Sequence, residues 1–238
     1  MSFNEYKINE KEQQHMSFIL YHDPNGILAA IFSHMPLVLK QHCVKVGAVS
    51  GLISENTLET SIPKGMTRND YANAVRYGGF YHDLGAYLAL NEWENYPEKG
   101  KMILENEISK NKVAHGIRKV ILEVVGCCEE RCDGTGYPNR LLASQIPLHA
   151  GICSVANIID NIVDARRNFS EKVMVEIEEY IRDNAGIVFL PEAVDGFMKA
   201  RGQILNLYRI WQDTPPLWKH DDLKPVSKPY DKAVFNWK

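Results

Sequence analysis

No extended run of Lys or Arg occurs in this chain, and its 27 basic residues are outnumbered by 30 acidic ones, for a net charge of −3. Bulk charge therefore does not suggest a polyanion partner, and no basic run suggests a helix lying on a membrane surface. No stretch reaches the ~18 uninterrupted apolar residues of a membrane span. The opening MSFNEYKINEKEQQ also lacks the basic segment and apolar run of a secretory leader. The expectation is a cytoplasmic protein with neither nucleic acid nor membrane among its partners. Strand-like alternation of apolar and polar residues is missing too, which argues against a sheet. Cysteine is sparse and odd in number, at five. The CCxxxC spacing of Cys127, Cys128 and Cys132 is not the paired CxxC pattern of structural zinc. In a reducing compartment these are thiols, and Cys43 and Cys153, in apolar helical contexts, read as buried ones.

What remains is a chain of 238 residues, 45% hydrophobic, enough for one sizeable core. Apolar residues recur at helical spacing from Gly26 to Ser54, with Pro36 marking a kink or a boundary between two helices. The pattern resumes from Asp70, interrupted at Gly78 and Gly79. It continues through YPEKGKMILENEI and AHGIRKVILEVVG, then the nearly all-apolar LHAGICSVANIIDNIVDARR, the surface helix EKVMVEIEEYIRDN, and a last helix opening on Pro191. The fold class is all-α. Residues 1–35 read as a short N-terminal helical extension, too small for a sensor domain. Residues 36–210 form the main helical domain, and the Pro-rich residues 211–238 an extended tail.

Two HisAsp dipeptides stand out. His22–Asp23 runs into Pro-Asn-Gly, a turn signature, and reads as a solvated loop. His82–Asp83 lies in apolar, helix-compatible surroundings, where an imidazole and a carboxylate are costly unless something satisfies them. Burial there asks for a ligand. Around this pair, HCVKV precedes, the loop DGTGYP follows, and then come VANIID and AGIVFLPEAVDGF. In that order these segments, from about His42 to Ala200, resemble the HD-GYP family of metal-dependent phosphohydrolases, helical-bundle proteins that hydrolyse cyclic di-GMP.

The resemblance implies a ligand set in which His42, His82, Asp83 and Asn157 hold one metal, with Asp83 the catalytic bridge to a second. Asn157 stands where the family has an aspartate, and Asp160 matches the next acidic position. The second metal's remaining places fall on Tyr96, Cys128 and Glu129, where the family has histidines. These positions read as vacated, since a phenol, a thiol and a carboxylate do not reproduce an imidazole-rich site. Ala86 replaces a phosphate-binding lysine. Gly136, Tyr137 and Pro138 of the loop stand intact, and Arg166 resembles a phosphate contact. The glycines and proline of that loop also have a plain structural reading, as does a simple Arg131–Asp133 pair.

Hydrolysis of a phosphodiester needs metal to acidify water and neutralise charge. The ligand count therefore implies one divalent transition metal (zinc, iron or manganese) at partial occupancy. It points to an inactive or weakly active binding or regulatory module related to cyclic di-GMP signalling. The alternative is an active single-metal phosphohydrolase for another phosphoester or nucleotide. Implied partners are a cyclic dinucleotide or other phosphoester and, for a regulatory module, a protein.

Overall fold

The computed structural model describes residues 35–86, 95–109, 113–166 and 169–213. The His22–Asp23 turn, most of the expected N-terminal extension and most of the tail lie outside them. Among the described residues there are seven α-helices and no strand. We number them α1 (Leu37–Glu55), α2 (Arg68–Tyr81), α3 (Tyr96–Ser109), α4 (His115–Cys127), α5 (Leu148–Arg166), α6 (Glu171–Asp183) and α7 (Pro191–Asp213). None is long and apolar enough to cross a membrane.

The helix boundaries follow local chemistry. α1 starts directly after Pro36, a residue that cannot donate to a preceding turn. The Thr67 side chain accepts the Asp70 N–H at the start of α2, and the Ser170 hydroxyl does the same for Val173 at α6, each satisfying one orphan donor. α7 opens on Pro191, whose missing N–H costs nothing in the first turn.

One expectation is corrected. Gly78 and Gly79 do not interrupt α2, which runs unbroken from Arg68 to Tyr81. A Cβ on Gly78 would sit 2.5 Å from Val124 Cβ of α4. Glycine there answers to helix–helix approach, with the helical ladder intact around it.

α5 is the axle of the domain. Twelve of its residues are buried, and it packs against α1, α2, α4, α6 and α7. Most of its buried side chains are aliphatic, but Asp160 is fully buried as well. Asp160 Oδ2 accepts from His42 Nδ1 at 2.8 Å. Its Oδ1 accepts from the Tyr208 hydroxyl at 2.8 Å and lies 3.3 Å from Lys45 Nζ. Lys45 also bonds Asp164 at 3.0 Å. Burial pushes the Asp160 carboxyl upward, but the Lys45 ammonium and the His42 and Tyr208 hydrogen bonds outweigh it and hold the carboxyl below its usual range. One carboxylate thus joins α5 to α1 and α7.

Removing that acceptor should be expensive, because a buried charge pair broken on one side leaves the other side uncompensated. Asp160→Ala is expected to cost about 3–5 kcal/mol, and Tyr208→Phe about 1 kcal/mol, in urea denaturation. A cost for Asp160→Ala below about 0.5 kcal/mol, the range of ordinary surface changes, would show that the helices are held without it.

Candidate metal centre

Three donors come together where α1 meets the end of α2. His42 projects from α1. His82 is the C-terminal cap of α2, and Asp83 begins the turn that follows. The HisAsp pair therefore sits just past a helix end, where the sequence placed it within a helical context. His82 and Asp83 are fully buried and His42 nearly so. One ligand atom from each lies within 4.8 Å of the others. His42 Nε2 is 3.7 Å from Asp83 Oδ2, His82 Nε2 is 3.4 Å from Asp83 Oδ1, and the two rings are 5.1 Å apart, centroid to centroid.

The backs of both rings are committed. His82 Nδ1 faces the Gly79 carbonyl at 2.7 Å, and a carbonyl can only accept, so Nδ1 carries the proton, and in the neutral ring Nε2 carries the lone pair. His42 Nδ1 faces the Asp160 carboxylate at 2.8 Å, with the same consequence. His42 Nε2 is buried and makes no hydrogen bond. Two imidazole lone pairs and a carboxylate oxygen turned toward a common point suit a divalent transition metal. Among the described residues this is the one group of His, Cys, Asp or Glu with such spacing.

Asn157 is elsewhere engaged. Its Nδ2 donates to Glu129 Oε1 at 3.1 Å, and its Oδ1 accepts from Asn161 at 3.0 Å. Tyr96, the buried first residue of α3, donates its hydroxyl to the same Glu129 oxygen at 2.5 Å. Tyr96, Glu129 and Asn157, three positions that the resemblance assigns to metals, are thus bonded to one another. Cys128 is buried beside them, and its thiol approaches the Val125 carbonyl at 3.7 Å. Hydrogen bonding with Cys153, together with burial, pushes this thiol well above its ordinary range, so it stays protonated and is a poor ligand. Ala86, where the HD-GYP pattern has a lysine, packs against Tyr96, and Tyr137 packs against this pair.

The loop carrying Gly136, Tyr137 and Pro138 is held by its own backbone chemistry. Buried Glu130 accepts the N–H groups of Asn139 at 2.7 Å and Leu141 at 2.8 Å. A Cβ on Gly136 would lie 2.4 Å from the Arg131 nitrogen, so only glycine permits this approach. Tyr137 N donates to the Glu129 carbonyl, and its ring meets Tyr96 edge-on at 6.1 Å. Arg131 pairs with Asp133 at 3.3 Å. Hydrogen bonds from Thr135 hold the Asp133 carboxyl down to about 2. An open hollow of about 330 Å³ lies along Gly134, Thr135, Gly136, Tyr137 and Arg140.

Arg166 is engaged on another helix. It pairs with Glu176 of α6 at 2.8 Å, and it stands nine residues beyond Asn157, about 13 Å along α5 and half a turn around it. Lys45 and Tyr208 were missed from the sequence. Lys45 carried a signal, since it lies three residues from His42 on one helix face. Tyr208 carried none.

If the Tyr96–Glu129–Asn157 bonds stand apart from the donor cluster, Tyr96→Phe should cost about 1 kcal/mol in thermal or urea unfolding and leave zinc affinity unchanged. A zinc affinity that falls with Tyr96→Phe would place this network in contact with the ion.

Comparison with known proteins follows the same lines. A family model described as HD domain matches residues 89–186, a span that holds Tyr96, Cys128, Glu129 and Asn157 but not His42, His82 or Asp83. The chain is 25% identical over 196 residues to a cyclic di-GMP phosphodiesterase of Thermotoga maritima, covering 79% of this chain and 51% of that protein. It is 36% identical over 75 residues to the cyclic di-GMP phosphodiesterase response regulator RpfG of Xanthomonas campestris pv. campestris, 32% of this chain and 20% of that one. With a 3'3'-cGAMP-specific phosphodiesterase 2 of Vibrio cholerae the figures are 30% over 112 residues, 45% and 20%. The chain thus spans about half the length of the first relative and about a fifth of the other two. The matched HD-domain segment, the similarity to these phosphodiesterases and the all-α architecture agree with the HD-GYP resemblance that the order of motifs carries.

Proposed function

We propose that this chain is a single-metal, HD-GYP-like binding or regulatory module that takes a cyclic dinucleotide or a related phosphoester and turns it over weakly or not at all. One observation carries the reading: the donors His42, His82 and Asp83 converge, whereas Tyr96, Glu129 and Asn157 are spent on one another. The named activities of the relatives, cyclic di-GMP or 3'3'-cGAMP phosphodiesterases, support a cyclic dinucleotide as the ligand class.

His42, His82 and Asp83 would hold the ion. When bound, such an ion supplies positive charge to a phosphate and lowers the pKa of a water. The protein's own groups support holding more than turnover. His42 and His82 present fixed lone pairs. Ala86 offers no cation to a phosphate, and the hydrogen bonds among Tyr96, Glu129 and Asn157 satisfy polar atoms that a second ion would otherwise engage. Gly136 and Glu130 keep the loop in shape whether or not a ligand is present. A second reading, a single-metal hydrolase, is favoured by the three-donor set itself, which leaves a coordination position open to water.

Two outcomes are expected. Purified protein loaded with zinc or manganese should hold at most one equivalent per chain by elemental analysis. His82→Ala should abolish that binding, and Cys128→Ser should leave it unchanged. Two equivalents, or loss with Cys128→Ser, would mean that Cys128 and Glu129 build a second site. Calorimetry should detect cyclic di-GMP binding, while its hydrolysis stays below about one turnover per second, an ordinary enzyme rate, and Ala86→Lys alone should not restore it. Turnover at or above that rate puts the hydrolase reading first.

A further inference from the structure

His42 reaches the donor cluster with one nitrogen and Asp160 with the other. Asp160 is fully buried and is not itself one of the clustered donors. Its Oδ2 fixes His42 Nδ1 at 2.8 Å. Its Oδ1 is in turn fixed by the Tyr208 hydroxyl at 2.8 Å and by Lys45 at 3.3 Å. The His42 ring therefore has neither rotational nor tautomeric freedom. Turning it would strip the carboxylate of a donor in a place without solvent to replace it. Tyr208 itself is stacked on Phe169, with ring centroids 5.0 Å apart, so the chain of contacts ends in packed aromatic rings of α7 and the α5–α6 connection.

We propose that Asp160 is a positioning residue for the metal centre, holding His42 in the Nδ1–H form with Nε2 presented to the ion, and that Tyr208 orients Asp160 for this task. The proposal rests on the reading of His42, His82 and Asp83 as ligands of one ion. A carboxylate behind a ligating imidazole sets the ring's tautomer and raises its basicity. Lys45 tempers that effect by sharing the carboxylate's charge. The arrangement makes metal affinity depend on a helix that contributes no ligand.

The test uses the full chain. Cobalt(II) and zinc affinities are measured by competition with a chromophoric chelator, together with the visible spectrum of the cobalt(II) form, for wild type, Asp160→Asn, Tyr208→Phe and His82→Ala. Asp160→Asn is expected to weaken binding by roughly ten- to a hundred-fold and to shift the cobalt bands. Tyr208→Phe, which keeps the carboxylate, should weaken binding less, with a shift in the same direction. A merely structural role would lower stability and leave both the cobalt spectrum and the affinity unmoved. Wild-type affinity and spectrum in a folded Asp160→Asn overturn the proposal. Should that variant fail to fold, the same result in Tyr208→Phe overturns it. Undiminished binding in His82→Ala is a different failure, since it removes the assignment of the metal ligands on which the proposal rests.

Discussion

A carboxylate taken wholly out of water must find its donors inside the protein, because an unpaired buried charge costs several kcal/mol. In this domain the carboxylate is Asp160, on the helix that touches most of the others. Its donors come from both ends of the fold, His42 and Lys45 on α1 and Tyr208 on α7. Satisfying it sets the register of α1 against α5, since only one rotation of α1 directs His42 and Lys45 to the same acceptor. That rotation also turns His42 Nε2 toward Asp83. The geometry of the donor cluster is thus a by-product of how the core meets its own electrostatic need.

Beside the cluster lies a second polar group with a different logic. Glu129 accepts from a phenol and an amide, two neutral donors. Each member suits the others: the amide of Asn157 donates where an aspartate could not, and Tyr96 reaches Glu129 through a hydroxyl. The loop after Glu129 is anchored separately. Glu130 collects two loop N–H groups, and Gly136 lets the backbone close on itself. The GYP loop thus has local packing of its own.

Much of this was legible in the sequence because it rests on short-range rules. Helical periodicity and Pro191 at a helix start placed most elements. The order of HCVKV, HisAsp, DGTGYP and VANIID supplied the family resemblance and pointed to His42, His82 and Asp83. Gly78 and Gly79 misled because a glycine that breaks a helix and one that admits a neighbouring helix look alike in one dimension. The fate of Arg166 was illegible for a related reason: nothing local says which side of α5 faces α6, where Glu176 takes it.

By itself, then, the sequence determined the all-α class and singled out His42, His82 and Asp83, which cluster in the fold, since periodicity and motif order are properties of neighbouring residues. Only the tertiary structure decided what those donors lean on. Asp160 meets His42 across 118 residues and Tyr208 across 48, while Tyr96 meets Glu129 across 33. Contacts at such separations arise when helices pack. Which buried acceptor each side chain finds follows from the cost of leaving a buried polar atom unpaired once the helices have packed.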